Sequence, residues 1–72
     1  MNDFTRSIVR LCFQNKPHRT FLFGNTLAIR YDEYDANNYS DEIFTLDGEL
    51  IQSVDVYGGN MIIRGVQNDD AC

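Results

Sequence analysis

Apolar residues in the first fifteen positions recur at helical spacing. Phe4, Ile8, Leu11 and Cys12 fall on one side of a helix, and Arg6, Arg10 and Gln14 stand on the other. Asp3 or Asn2 can cap its start, and Pro17 disfavours helix at Lys16, so the pattern predicts a helix over about residues 3–15. From Thr20 the periodicity changes to that of strands. Thr20–Phe23 and Thr26–Tyr34 flank Gly24-Asn25, Glu42–Leu46 and Glu49–Val56 flank Asp47-Gly48, and Gly58-Gly59 precedes Met61–Val66. Residues 35–41 read as a polar loop, and residues 67–72 as a tail that frays. Short β-rich runs joined by Gly-centred turns predict an antiparallel meander over about residues 20–66. The expected fold is therefore α+β: one domain, residues 1–72, with an N-terminal helix packed on a four- to five-stranded antiparallel sheet.

The turn at Asp47-Gly48 decides which strand residues share a face. A two-residue loop would pair Leu46 with Glu49 and mix apolar and charged side chains on both faces. A three-residue loop, Leu46-Asp47-Gly48, with Gly48 left-handed, pairs Phe44 with Leu50 instead. Strict alternation from that register places Phe44, Leu50, Val54, Val56, Met61 and Ile63 under the helix. It leaves Ile43, Thr45, Glu49, Ile51, Ser53, Asp55, Tyr57, Ile62 and Arg64 outward. Three isoleucines, Ile43, Ile51 and Ile62, are then expected on a face that nothing in the chain covers.

Charge is divided by position. Residues 1–30 carry Arg6, Arg10, Lys16, Arg19 and Arg30 against Asp3 alone, whereas residues 31–72 carry ten carboxylates against Arg64 alone, for a net charge of −5. Such asymmetry points to a charged partner or to pairing within or between copies of the chain. The negative total disfavours direct contact with nucleic acid or an anionic membrane surface. A hydrophobic content of 43% argues against disorder, and 72 residues allow one small core. Neither a secretory signal pattern nor a long apolar run is present. Cys12 and Cys72 accordingly read as unbridged thiols of a cytoplasmic protein, host cytoplasm if phage-encoded, with Cys12 packed in the core.

Candidate chemistry is sparse. The acidic run from Asp32 to Glu42 departs from a calcium loop begun at Asp35, because Tyr39, Ser40 and Leu46 occupy positions that need a ligand, a glycine and a glutamate. His18 has no ligand-spaced companions. Cys12 and the serines lack a nucleophile's context, and Gly58-Gly59 lacks the residues of a phosphate loop. No catalytic residue, metal or cofactor is assigned. Acids on alternate strand positions, about 7 Å apart, can form rows that occupy a groove built for phosphates. The expected partner-binding surface comprises Asp32, Glu33, Asp35, Tyr39, Asp41, Glu42, Ile43, Glu49, Ile51, Asp55 and Ile62.

In size and charge alone the chain resembles the small phage-encoded proteins that block bacterial defence systems, the anti-CRISPR and anti-restriction inhibitors. That resemblance implies a non-catalytic, stoichiometric inhibitor acting on the basic, nucleic-acid-binding surface of a partner protein. The alternative expectation is a self-assembling structural or accessory subunit. It would use either its apolar sheet face in a homodimer or its basic helix against the acidic sheet of the next copy.

Overall fold

The helix begins where a side chain can replace its missing backbone partner. In a computed structural model describing residues 1–66, Asn2 has extended backbone and its Oδ1 accepts from the Thr5 amide at 2.8 Å, capping α1 (Asp3–Phe13). The other end closes through two reverse bonds. Asn15, left-handed at φ 57°, donates to the Cys12 carbonyl at 3.1 Å, and Lys16 donates to that of Leu11 at 2.9 Å. This is a Schellman closure with Asn in the left-handed position, which halts the helix before Pro17 can. Phe4, Ser7, Ile8 and Leu11 turn inward. Cys12 does not: it is a free, exposed thiol about a quarter-turn off the packed stripe, which corrects its expected place in the core. Cys72 and the expected frayed tail lie outside the described residues.

Five strands follow: β1 (His18–Phe23), β2 (Thr26–Asp35), β3 (Asn38–Thr45), β4 (Leu50–Tyr57) and β5 (Asn60–Val66). They form one antiparallel sheet in chain order, the meander of an α+β fold. The polar segment 35–41 is not a loop: Ala36-Asn37 make a tight turn and residues 38–41 already belong to β3. Asp35 Oδ1 accepts from the Asn37 amide at 2.8 Å and from Asn38 Nδ2 at 2.9 Å, so an Asx turn brings the chain straight into β3. Gly58 and Gly59 both have positive φ, as a two-residue hairpin turn of matching twist requires.

The turn after β3 is the three-residue loop that the register argument requires. Gly48 has φ 90°, and Phe44 pairs with Leu50. This turn is also fastened to the helix start: Phe4 donates to the Gly48 carbonyl at 2.9 Å, and Asn2 Nδ2 to that of Asp47 at 3.1 Å. Leu50 donates to Asp3 Oδ2 at 2.9 Å. The core lies between α1 and one sheet face, where Leu11, Ile29, Tyr31 and Phe44 are buried. Phe4 meets Phe44 edge to face, with centroids 5.4 Å apart.

Beyond Leu50 strict alternation fails twice. Phe44 pairs with Leu50 but Ile43 pairs with Gln52, so Ile51 is an extra, bulged residue. Val54 pairs with Ile63 but Ser53 with Gly65, which makes Arg64 a second bulge. Each insertion reverses the faces that follow. Val54, Val56, Met61 and Ile63 do share a face, but it is the one away from the helix, where Ile43 and Thr45 also lie. Ser53, Asp55, Ile62 and Arg64 move to the helix side. The expected outward group of Ile43, Ile51 and Ile62 is thereby broken up. Among the described residues, no helix is long and apolar enough to cross a membrane.

Candidate binding face

The face away from α1 is a trough drawn from all five strands. Its floor is small and aliphatic: Ala28 is completely buried, and Val54 and Val56 retain 7% and 5% of their surface. Phe21 and Phe23 of β1 stand on one side and Met61 of β5 on the other, around a volume of about 510 Å³. Phe23, Met61 and Ile63 carry the apolar surface past the rim, at 73%, 68% and 52% exposure.

One ion pair crosses the trough. Arg30 donates through Nε to Asp41 Oδ1 at 2.7 Å and through its terminal nitrogen to Oδ2 at 2.9 Å. Its guanidinium lies 3.8 Å from the Tyr39 ring centroid and 5.3 Å from that of Phe21. The hydrogen bond to Asp41 raises the Arg30 pKa against the opposing cost of burial. Two-pronged pairing plus ring stacking leaves neither charge free to bind a ligand ion. Gln52 and Tyr39 are the other polar handles in the wall, besides Thr26, whose hydroxyl is engaged by the Phe23 carbonyl.

The opposite face carries a polar cluster. Buried Glu42 accepts from Arg10 at 3.1 Å and from the Tyr31 hydroxyl at 3.5 Å through Oε2, while its Oε1, also buried, has no hydrogen-bond partner. Arg64 donates to the Tyr31 hydroxyl at 2.6 Å and pairs with Asp55 at 2.8 Å, and Ser40 donates to Asp55 at 2.6 Å. Burial, and then the Glu42 charge, raise the Tyr31 pKa.

No family model matches the chain, and neither curated proteins nor solved structures gave a match.

Of the residues expected to bind a partner, Tyr39, Asp41 and Ile43 line the trough. Glu42 and Asp55 lie on the helix side, engaged as described. Asp32 pairs with Lys16 at 3.2 Å, and Glu33 pairs with Arg19 through two bonds of 3.1 Å. The Glu33 pKa is lowered, chiefly by the Arg19 hydrogen bond. Asp35 is held by the Asx turn, its pKa lowered first by Asn38 and then by the Asn37 amide. Glu49 is exposed, Ile51 is a half-buried bulge, and Ile62 is exposed on the helix side. The acids therefore form no continuous row. Phe21, Phe23, Ala28, Arg30, Val54, Val56 and Met61 were not singled out by sequence as binding residues. The available signal was the grouping of Val54, Val56, Met61 and Ile63, which is correct as a group and reversed in facing.

Proposed function

We propose that the protein is a non-catalytic binding module that docks a protein partner on the helix-free face of its sheet, acting as a stoichiometric ligand or inhibitor of that partner. The observation that carries this reading is the uncovered apolar trough with its single, closed ion pair. Hot spots of protein recognition cluster where aromatic and aliphatic anchors are surrounded by contacts that exclude water, and Phe21, Phe23 and Met61 are placed to form one. The trough walls hold no nucleophile paired with a base, and Asp41 is tied to Arg30. The acidic excess retains a secondary role, drawing a positively charged partner in by long-range attraction.

Photo-crosslinking tests the reading. p-Benzoylphenylalanine replaces either Phe23, on the trough, or Phe13, which is 88% exposed on the helix, in cells that make the protein naturally. Position 23 is expected to give a discrete adduct with a second polypeptide that position 13 does not give. Equal labelling from both positions, or none from 23, would contradict it.

A further inference from the structure

We infer that the occupant of the trough is an amphipathic α-helix of a partner protein, with an apolar stripe flanked by Lys and Arg; the inference rests on the docking-face reading above. Shape supplies the first argument. All five strands contribute to one concave surface, and its floor of Ala28, Val54 and Val56 is low between taller walls. A helix, about 10 Å across with its side chains, is convex and can seat an apolar stripe on such a floor. A second copy offers the same concave face, and two troughs placed mouth to mouth would enclose a large apolar void, which is costly.

Backbone chemistry supplies the second argument. Arg30 and Asp41 satisfy each other, leaving Gln52 and Tyr39 as isolated handles. An extended peptide lying on this floor would bury a row of unpaired N–H and C=O groups. A helix arrives with its backbone bonds already made.

Charge selects the flanks. Each Lys and Arg of the chain already holds a carboxylate: Arg6 with Asp3, Arg10 with Glu42, Lys16 with Asp32, Arg19 with Glu33, Arg30 with Asp41 and Arg64 with Asp55. Among the described residues, Asp35, Asp47 and Glu49 are the carboxylates left without a cationic partner. Asp35 ends β2 at the β2–β3 turn, and Asp47 and Glu49 lie in the β3–β4 turn at the opposite end of the sheet. Basic residues flanking the incoming stripe meet both ends, whereas a second copy brings its own net charge of −5.

Two synthetic helical peptides of about 18 residues test this, alike in a leucine stripe but flanked by lysine in one and glutamate in the other. Each is titrated into the isotopically labelled protein at low salt and followed by amide NMR. The lysine peptide is expected to move the Ala28, Val54 and Val56 signals and to bind at least about tenfold more tightly than the glutamate peptide. No movement at these positions, or equal affinity of the two peptides, overturns the inference. So does a labelled adduct at Phe23 that proves to be a second copy of the chain. A Phe23 adduct with another protein, combined with no response to either peptide, overturns the helix alone and leaves the docking face standing. Absence of any Phe23 adduct overturns the docking face itself.

Discussion

Glu42 is a buried carboxylate on the helix side of the sheet. Its side chain is 6% exposed, and among the described residues Arg10, at 41%, supplies its one ion pair. Removing Arg10 leaves a buried carboxylate whose remaining hydrogen bond is from the Tyr31 hydroxyl, itself held by Arg64. Arg10→Met is expected to destabilise the protein by about 1–3 kcal/mol, below the full cost of breaking a buried pair because Arg10 is partly solvated. The Arg10→Met, Glu42→Met double variant should recover much of that loss, which chemical denaturation of both variants would reveal. Asp35 gives a second prediction. Its pKa is lowered in the folded state, so the stability it contributes is present above the ordinary carboxylate range and is lost as pH falls below about 4. Asn38→Ala removes the largest cause of that shift. The Asp35 pKa should then rise toward its ordinary value in an NMR titration, and the variant should lose less of its stability on acidification.

At the scale of elements, much was legible because local rules agree with the global fold. The spacing of Phe4, Ile8 and Leu11 marks the helix, and the Gly-centred turns mark three of the four hairpins. The choice between loop registers at Asp47-Gly48 correctly pairs Phe44 with Leu50. What alternation could not convey was the facing of β4 and β5. Leu50, Val54 and Val56 have the same parity, so the sequence places them together, but the extra residue at Ile51 turns Val54 and Val56 over. A bulge reverses the facing while residue-number parity runs on unchanged, and it is decided by twist and packing across strands. The consecutive apolar pair Leu50-Ile51 was its only local trace. Methyl groups of Val54 are accordingly expected to show NOEs to trough neighbours from β2, β3 and β5. NOEs from Val54 to Phe4 or Leu11 of the helix would restore strict alternation and remove the trough's floor. Leu11→Ala, at the completely buried centre of the helix-side core, should cost about 2–5 kcal/mol in denaturant unfolding. A loss below about 1 kcal/mol would mean the helix is not packed as described.

For the molecule as a whole, the division of charge along the chain is resolved by the fold. Four of the six ion pairs join a cation from residues 1–30 to a carboxylate from residues 31–72, including Arg10 with Glu42 and Arg30 with Asp41. The sequence asymmetry is therefore largely internal complementarity, and the acids expected to meet a basic groove are mostly occupied at home. Apolar surface, in contrast, remains open on the helix-free face. The most direct test compares two variants for affinity to the polypeptide labelled from position 23. Met61→Lys places a charge on the trough wall at a side chain already 68% exposed, so the fold should survive. Asp32→Asn and Glu33→Gln together neutralise the ion-paired acids of the run and leave Asp35 and the trough lining unchanged. Met61→Lys is expected to weaken binding by at least about thirtyfold, and the neutralised variant by no more than about threefold at physiological salt. The opposite ranking would contradict recognition through the trough and return it to the acidic surface.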